Sequence, residues 1–460
     1  MGDDHLARHR SATPATSPSN HQHYHHHHHH HPNPKAPELR LLAESPASSH
    51  VARGAGPPGG RSFLASAQWT ADGTTVIATS SGRSVTALSL PGDLLEGEGS
   101  RELRPQGVTT LPEPTQAVVA APFFSLGDPS TQTLLVGCKD HPIHLYHAFP
   151  VGESLNAPLC SYKNIRMQTE EYITPSSMIW PESNHFLCGS TNRIDCFDVS
   201  GHADGPVVTI HTIPSKRHLL KGGGVGMKGT VSAMGASPSD GEGSYLLAAG
   251  TWSRWLGLYD IYRSDKVVAN WSIAGAADDS GLDGNGIVQT IWSPCGRYLL
   301  VNERQTDGLL VYDIRVTGQL LSTLKGRGGS TPQRLSCDVY PGSDGGFEVW
   351  SGAQDGIVHV WEGVGLHGES RVPPSWDWKA HDAPVGNAVV HPSGSVAATC
   401  SGGWEPAPVT DDGVTPGITV LEESSLKLWS IEASALETSA EEQTEPWIQH
   451  DTPYRTKEKN

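Results

Sequence analysis

The sequence predicts an all-β chain closed into a β-propeller of seven blades, and three observations carry that expectation. A unit of short strands and tight turns recurs seven times between Ser62 and about Ile431. Two independent series of residues, one at turns and one at strand ends, count the same seven units. The composition suits them, with 51 glycines, 34 prolines and 13 tryptophans in 460 residues and only 18% charged side chains.

The first series marks the turn after the innermost strand of each unit: Ala71-Asp72-Gly73, Asp128-Pro129, Trp180-Pro181-Glu182, Ser237-Pro238-Ser239, Ser293-Pro294-Cys295-Gly296, Tyr340-Pro341-Gly342 and His391-Pro392-Ser393-Gly394. The second marks the end of the third strand: Ala87-Leu88-Ser89, Leu145-Tyr146-His147, Cys196-Phe197-Asp198, Leu258-Tyr259-Asp260, Val311-Tyr312-Asp313, Val360-Trp361-Glu362 and Leu428-Trp429-Ser430. This is the pattern of a WD40 repeat, stretched. Pro181, Pro238, Pro294, Pro341 and Pro392 are 57, 56, 47 and 51 residues apart, against ~40–45 for a minimal unit, and the excess is placed in loops. A four-stranded blade cannot bury both faces alone, so blades stack radially and the ring closes. In Gly356–Trp361, Ile357, His359 and Trp361 point one way and Val358 and Val360 the other. Arg297–Val301 has a continuous apolar run, as a strand sandwiched between neighbours should. Leu39–Ala43 could supply the outer strand of the last blade.

Residues 1–60 are rich in Pro, Ser, Gly and His and are expected to form a disordered extension. The run His25–His31 within it could hold a metal ion when neutral, but no second ligand cluster would fix a geometry, so a low-complexity tract is the expectation. The propeller is assigned to 62–432 and an acidic, disordered tail to 433–460. Ser401–Asn460 has 4 Lys/Arg against 12 Asp/Glu. Seven scattered cysteines, never in a CxxC pair, indicate neither a disulfide framework nor a zinc ribbon. Met1–Arg10 lacks an apolar signal-like run, and a soluble, intracellular, monomeric protein is expected.

The net charge of -17 provides no global field for nucleic acid, so any RNA contact must be local. In a propeller of this pattern the turns between the second and third strands and the connections between blades share one face. Five of those seven turns carry a cation: Arg83, Lys139, Arg193, Arg254 and Arg304. The connections add Lys163, Arg166, Lys216, Arg217, Lys221, Lys228, Lys325, Arg327 and Arg334, and Trp252, Trp255 and Trp404 are interleaved. Cations for phosphates and flat rings for splayed bases suit single-stranded or looped RNA. The candidate RNA-binding residues are therefore Arg83, Lys139, Arg193, Trp252, Arg254, Trp255, Arg304, Arg334 and Trp404. The competing interpretation is that the cations are ordinary exposed turn residues and that Trp252 or Trp255 packs between blades. The Pro/Asp/Gly-rich segment 401–425 interrupts the last blade as a long insertion.

No GxSxG, HExxH or P-loop motif and no metal-ligand cluster is present, so no catalytic residue, metal or cofactor is expected. His381-Asp382 and His391 are assigned to a loop dipeptide and a turn.

Phe186–Arg193, Ser253–Tyr259, Gly286–Gln289 with Trp292-Ser293-Pro294, Thr331–Arg334, and Asn387–Ser393 with Ala397–Gly402 resemble, in order, the telomerase Cajal body protein 1 family and its fungal relatives. The likeness runs from about Ser62 to Ser430. The amino-terminal region shares only proline content and expected disorder, and the insertion after Trp404 is individual. What the resemblance implies is a nuclear, non-catalytic scaffold that recognises short boxes in small Cajal body RNAs and telomerase RNA. Its implied partners are ribonucleoprotein core proteins and spliceosomal assembly factors, with a role in nuclear RNA processing and pre-mRNA splicing. The alternative is a protein-only adaptor in ribonucleoprotein assembly that never touches RNA.

Overall fold

The computed structural model describes residues 36–50, 62–115, 117–151, 157–202, 204–215, 218, 226–240, 243–263, 267–343, 345–366, 368, 370–406 and 418–432. The histidine tract, the tail and Lys216, Arg217 and Lys221 lie outside them.

Seven sheets of four antiparallel strands follow one another along the chain, Arg101–Glu102 and Arg371–Val372 each adding a short parallel edge to one of them. Blade 1 consists of Leu64–Trp69, Thr75–Ser80, Ser84–Ser89 and Gly107–Thr110; blade 2 of Ala117–Ala120, Thr133–Gly137, Ile143–His147 and Cys160–Tyr162. Blade 3 runs through Ser177–Ile179, His185–Ser190, Arg193–Asp198 and Val208–His211, and blade 4 through Val231–Ala236, Leu247–Thr251, Trp255–Tyr259 and Val267–Ser272. Blade 5 contains Ile287–Trp292, Tyr298–Glu303, Gly308–Asp313 and Leu320–Lys325; blade 6 contains Cys337–Pro341, Phe347–Gly352, Ile357–Val364 and Trp376–Lys379. The first series falls at the initial turn of each blade, and the second falls at the end of the third strand in blades 1–5 and two residues short of it in blades 6 and 7.

Blade 7 is assembled from both ends of the propeller. Val385–Val390, Val396–Ser401 and Ser425–Glu432 are completed by β1, Glu38–Pro46, which pairs antiparallel with Ser425–Glu432 from Glu38↔Glu432 to Pro46↔Ser425. The outer-strand assignment of Leu39–Ala43 holds, and the ring therefore begins at β1. The boundary drawn at residue 60 from composition is too late: Glu38–Pro46 is strand, and Ala47–His50 is a 3-10 turn.

The core is a chain of apolar clusters, each filling a gap between neighbouring blades. Leu42, Leu64, Val76, Leu426 and Leu428 join blade 7 to blade 1, and Trp350, Val360, Val385 and Ala397 join blade 6 to blade 7. Phe186 and Phe197 stack at 5.0 Å with Tyr162 edge-on to Phe186 at 4.9 Å, closing the gap between blades 2 and 3. With every inter-blade surface removed from water, the hydrophobic effect acts on the whole ring rather than on any one sheet.

Polar links reinforce the last junctions. His391 bonds through Nε2 to the Gly73 carbonyl at 3.0 Å, tying the first turn of blade 7 to that of blade 1. His381 lies in the connection between blades 6 and 7, as the loop assignment has it, but it is buried there at 2% exposed, while its neighbour Asp382 is open to solvent. Trp429 Nε1 donates to Thr399 Oγ1 at 2.9 Å, Thr399 Oγ1 lies 2.8 Å from His381 Nε2, and His381 Nδ1 lies 3.0 Å from Glu423 Oε1. The pattern is satisfied when Thr399 donates to Nε2 and Nδ1–H donates to the carboxylate. Burial pushes the imidazole below its ordinary value, the Glu423 bond opposing it.

His50 docks the segment after β1 onto blade 1, with Nε2 2.9 Å from Ser45 Oγ and Nδ1 2.7 Å from Thr86 Oγ1. Burial pushes its imidazole down to about 4. The folded ring thus holds it neutral, whereas the unfolded chain takes up a proton below its ordinary value of 6.5. Stability contributed by neutral His50 is complete above pH 6.5 and is lost as the pH falls towards 4. Between pH 7 and pH 5 the loss should be about 2 kcal/mol. Urea unfolding of wild type and His50→Gln across that range checks it; equally steep profiles would remove the assignment.

Candidate nucleic-acid interface

The turns between second and third strands need a left-handed residue, and five blades supply one: Asp140 (φ 57°), Asn192 (φ 59°), Arg254 (φ 64°), Gln305 (φ 58°) and Gly356 (φ 84°). A side chain there is strained, so a bulky residue such as Arg254 is held by something else.

The turns of blades 1 and 5, the connections after blades 1 and 5 and the blade 7 insertion meet around a cavity of about 500 Å³. Arg304 enters from the turn of blade 5, Pro332, Gln333 and Arg334 from the connection between blades 5 and 6, and Trp404 from the short strand Trp404–Pro406 of the blade 7 insertion. Phe63, Ser66, Ser80, Ser81 and Thr115 complete much of the wall. Arg334 Nη2 donates to the Val288 carbonyl at 2.6 Å. Burial, with repulsion from Arg304 added, pushes its guanidinium down to about 10, still protonated at neutral pH. Arg304 Nε is buried with no hydrogen-bond partner among the described residues. One layer behind, Arg327 is 1% exposed, and its Nη1 donates to Asn302 Oδ1 at 2.7 Å, while Asn302 Nδ2 donates to the Leu335 carbonyl at 2.8 Å. Burial pulls the Arg327 guanidinium below its ordinary value.

Trp404 is 54% exposed and stands edge-on to Phe63 at 5.4 Å. Gln333 Nε2 donates to the Gly402 carbonyl at 2.7 Å, fastening the Trp404 insertion to the arginine-bearing connection.

The other candidates divide into two groups. Arg83 and Lys139 are exposed, Arg83 with a long contact of 3.4 Å to the Pro112 carbonyl and Lys139 3.9 Å from Asp140; Trp252 is 54% exposed. Arg193 and Arg254, by contrast, are engaged by carboxylates. Arg193 grips fully buried Asp195 with two nitrogens, Nε at 2.8 Å from Oδ2. Arg254 reaches into the next blade, its Nε and Nη2 at 2.7 and 3.0 Å from Glu303 and its Nη1 2.7 Å from Asp278. Trp255 packs partly buried against the core between blades 3 and 4. Phe63 was not among the sequence candidates, because nothing in its short apolar context sets it apart from a core residue.

A closed ring of seven four-stranded blades, with cationic and aromatic side chains gathered at one mouth, defines a WD40-type propeller with the form of a binding platform. Its homologues include Telomerase Cajal body protein 1 of Homo sapiens, 26% identical over 380 residues that cover 80% of this chain and 63% of the relative. The Bos taurus protein of the same name is 27% identical over 344 residues, covering 74% and 58%. The chain also matches the Guanine nucleotide-binding protein negative regulator 1 of Schizosaccharomyces pombe, 25% identical over 319 residues, covering 68% and 74%. The chain thus spans about 60% of the length of the two Telomerase Cajal body proteins. No family model matches it.

Proposed function

We propose that the chain is a non-catalytic RNA-binding scaffold of small nuclear or Cajal body ribonucleoproteins, acting in the nuclear Cajal body. The name of the mammalian relatives supports the telomerase and Cajal body setting. Ribonucleoprotein core proteins and spliceosomal assembly factors are the partners we propose with it. The observation that carries direct RNA contact is the convergence of Arg304, Arg334 and Trp404, from chain positions up to 100 residues apart, on one cavity of an otherwise acidic protein. Arg83 and Lys139 extend the cationic surface around the rim. Arg193 and Arg254 drop out as primary phosphate contacts, since their charge is already spent on Asp195 and on Glu303 with Asp278.

Four phosphate contacts, through Arg83, Lys139, Arg304 and Arg334, predict that log affinity for single-stranded RNA falls with log salt at a slope near about -3, from ~-0.7 per contact. Exchanging Arg83 and Lys139 for Glu should flatten that slope by about half without changing the melting temperature. A slope of zero would sink direct RNA binding and leave the protein-only adaptor, whose partners would survive nuclease treatment in a pull-down.

A further inference from the structure

We propose that the cavity at the mouth of the ring is a pocket for a single 5′-phosphorylated nucleotide, its phosphate on Arg304 and Arg334 and its base beside Trp404. The proposal deepens the RNA reading above and rests on it, by assigning the chemical unit this cavity accepts.

Two sides of the cavity ask for different chemistry. On one, half-buried Arg304 and Arg334 stand together, repulsion from Arg304 adding to burial in disfavouring the Arg334 charge, with the fully buried Arg327 behind them. Neither Arg304 nor Arg327 makes an ion pair among the described residues. A buried guanidinium nitrogen with no acceptor is costly, and a phosphate oxygen against Arg304 is what offsets it. The buried Nε of Arg304 supplies a donor with no internal acceptor.

A small inorganic anion would leave most of the cavity unused. At about 500 Å³ it lies in the range of pockets that hold small organic ligands. Its other side presents the half-exposed indole of Trp404, braced by Phe63, a surface on which a flat heteroaromatic ring stacks. Ser66 and Ser81 also line the cavity, and their hydroxyls can meet a ribose or a base edge. Because Gln333 ties the Trp404 insertion to the chain segment that carries Arg334, cation and ring are held in a fixed relation rather than brought together by the ligand.

The test uses the full-length protein and isothermal titration with the four nucleoside 5′-monophosphates, the matching nucleosides and inorganic phosphate. At least one monophosphate should bind about tenfold more tightly than its nucleoside or than phosphate. Arg304→Met should cost about tenfold, with Arg304→Lys recovering part of it, and Trp404→Leu should cost about fivefold, all three melting within a few degrees of wild type. Phosphate binding as tightly as every nucleotide, or nucleotide affinity unmoved by both Arg304→Met and Trp404→Leu, would overturn the pocket. So would a short RNA that binds these two variants undiminished, an outcome that leaves the RNA reading standing. Mononucleotide binding without any RNA binding would instead keep the pocket and remove that reading.

Discussion

Replacing Arg254 by methionine should destabilise the propeller by about 3–5 kcal/mol, the cost of leaving a buried carboxylate without its partner. Glu303 is 1% exposed, and burial holds its carboxyl above the ordinary value even with Arg254 against it. Without the guanidinium it has the Gly286 backbone but no cation, and its folded-state value rises further. A carboxyl raised in the folded state stabilises the fold when protonated, so the deficit of the variant should shrink as the pH falls towards 5 and be fully developed above neutrality. Denaturant unfolding at several pH values reads both effects. A variant as stable as wild type, or a deficit independent of pH, would show that the pair does not link blades 4 and 5. Arg254→Gly separates charge from backbone: it relieves the left-handed strain at φ 64° and should still be destabilised by several kcal/mol, since strain there is worth only about 1–3 kcal/mol.

Deleting residues 1–46, and with them β1, should have the second large effect. Ser425–Glu432 would lose its outer partner along the whole strand, and Leu42 and Ala43, both essentially inaccessible, would leave the cluster between blades 7 and 1. A buried leucine contributes about 1.5–3 kcal/mol, and half-buried Leu39 and Leu41 add to it. The sum is a large part of the ~5–15 kcal/mol that separates a folded domain from its unfolded ensemble. The truncated chain should elute as soluble oligomers or aggregate through the bared edge of Ser425–Glu432. A monomeric, cooperatively melting product would mean that three strands suffice for the last blade.

The ring was legible because its repeat is set by short-range chemistry. Turn residues such as Ser293-Pro294-Cys295-Gly296 and strand ends such as Val311-Tyr312-Asp313 recur with each blade, and each marks a local backbone requirement. The domain boundary was less legible: Leu39–Ser45 sits among proline- and histidine-rich neighbours, and a composition average drowns seven residues whose partner lies almost 400 positions away. The site divides along the same line. Arg193 could have been discounted from sequence alone, because Asp195 two positions on projects from the same face of a strand. The Arg254–Glu303 pair, 49 residues apart in neighbouring blades, needs the radial register of the ring. His381 looked like half of a polar loop dipeptide, and only the placement of Thr399 and Trp429 around it makes a core residue of it. Burial of Arg327 ran against residue type, since arginine is seldom inside without a carboxylate.

Completion of blade 7 by β1 also sets an order of events on the ribosome. Arg40 lies in β1, and Ser430, whose Oγ bonds its carbonyl, is synthesised 390 residues later. At roughly 5–20 residues per second the interval is ~20–80 s. Through that time a leucine-rich strand waits in the open while six blades form behind it, so the yield of closed rings should depend on elongation rate and on how well the nascent chain is shielded.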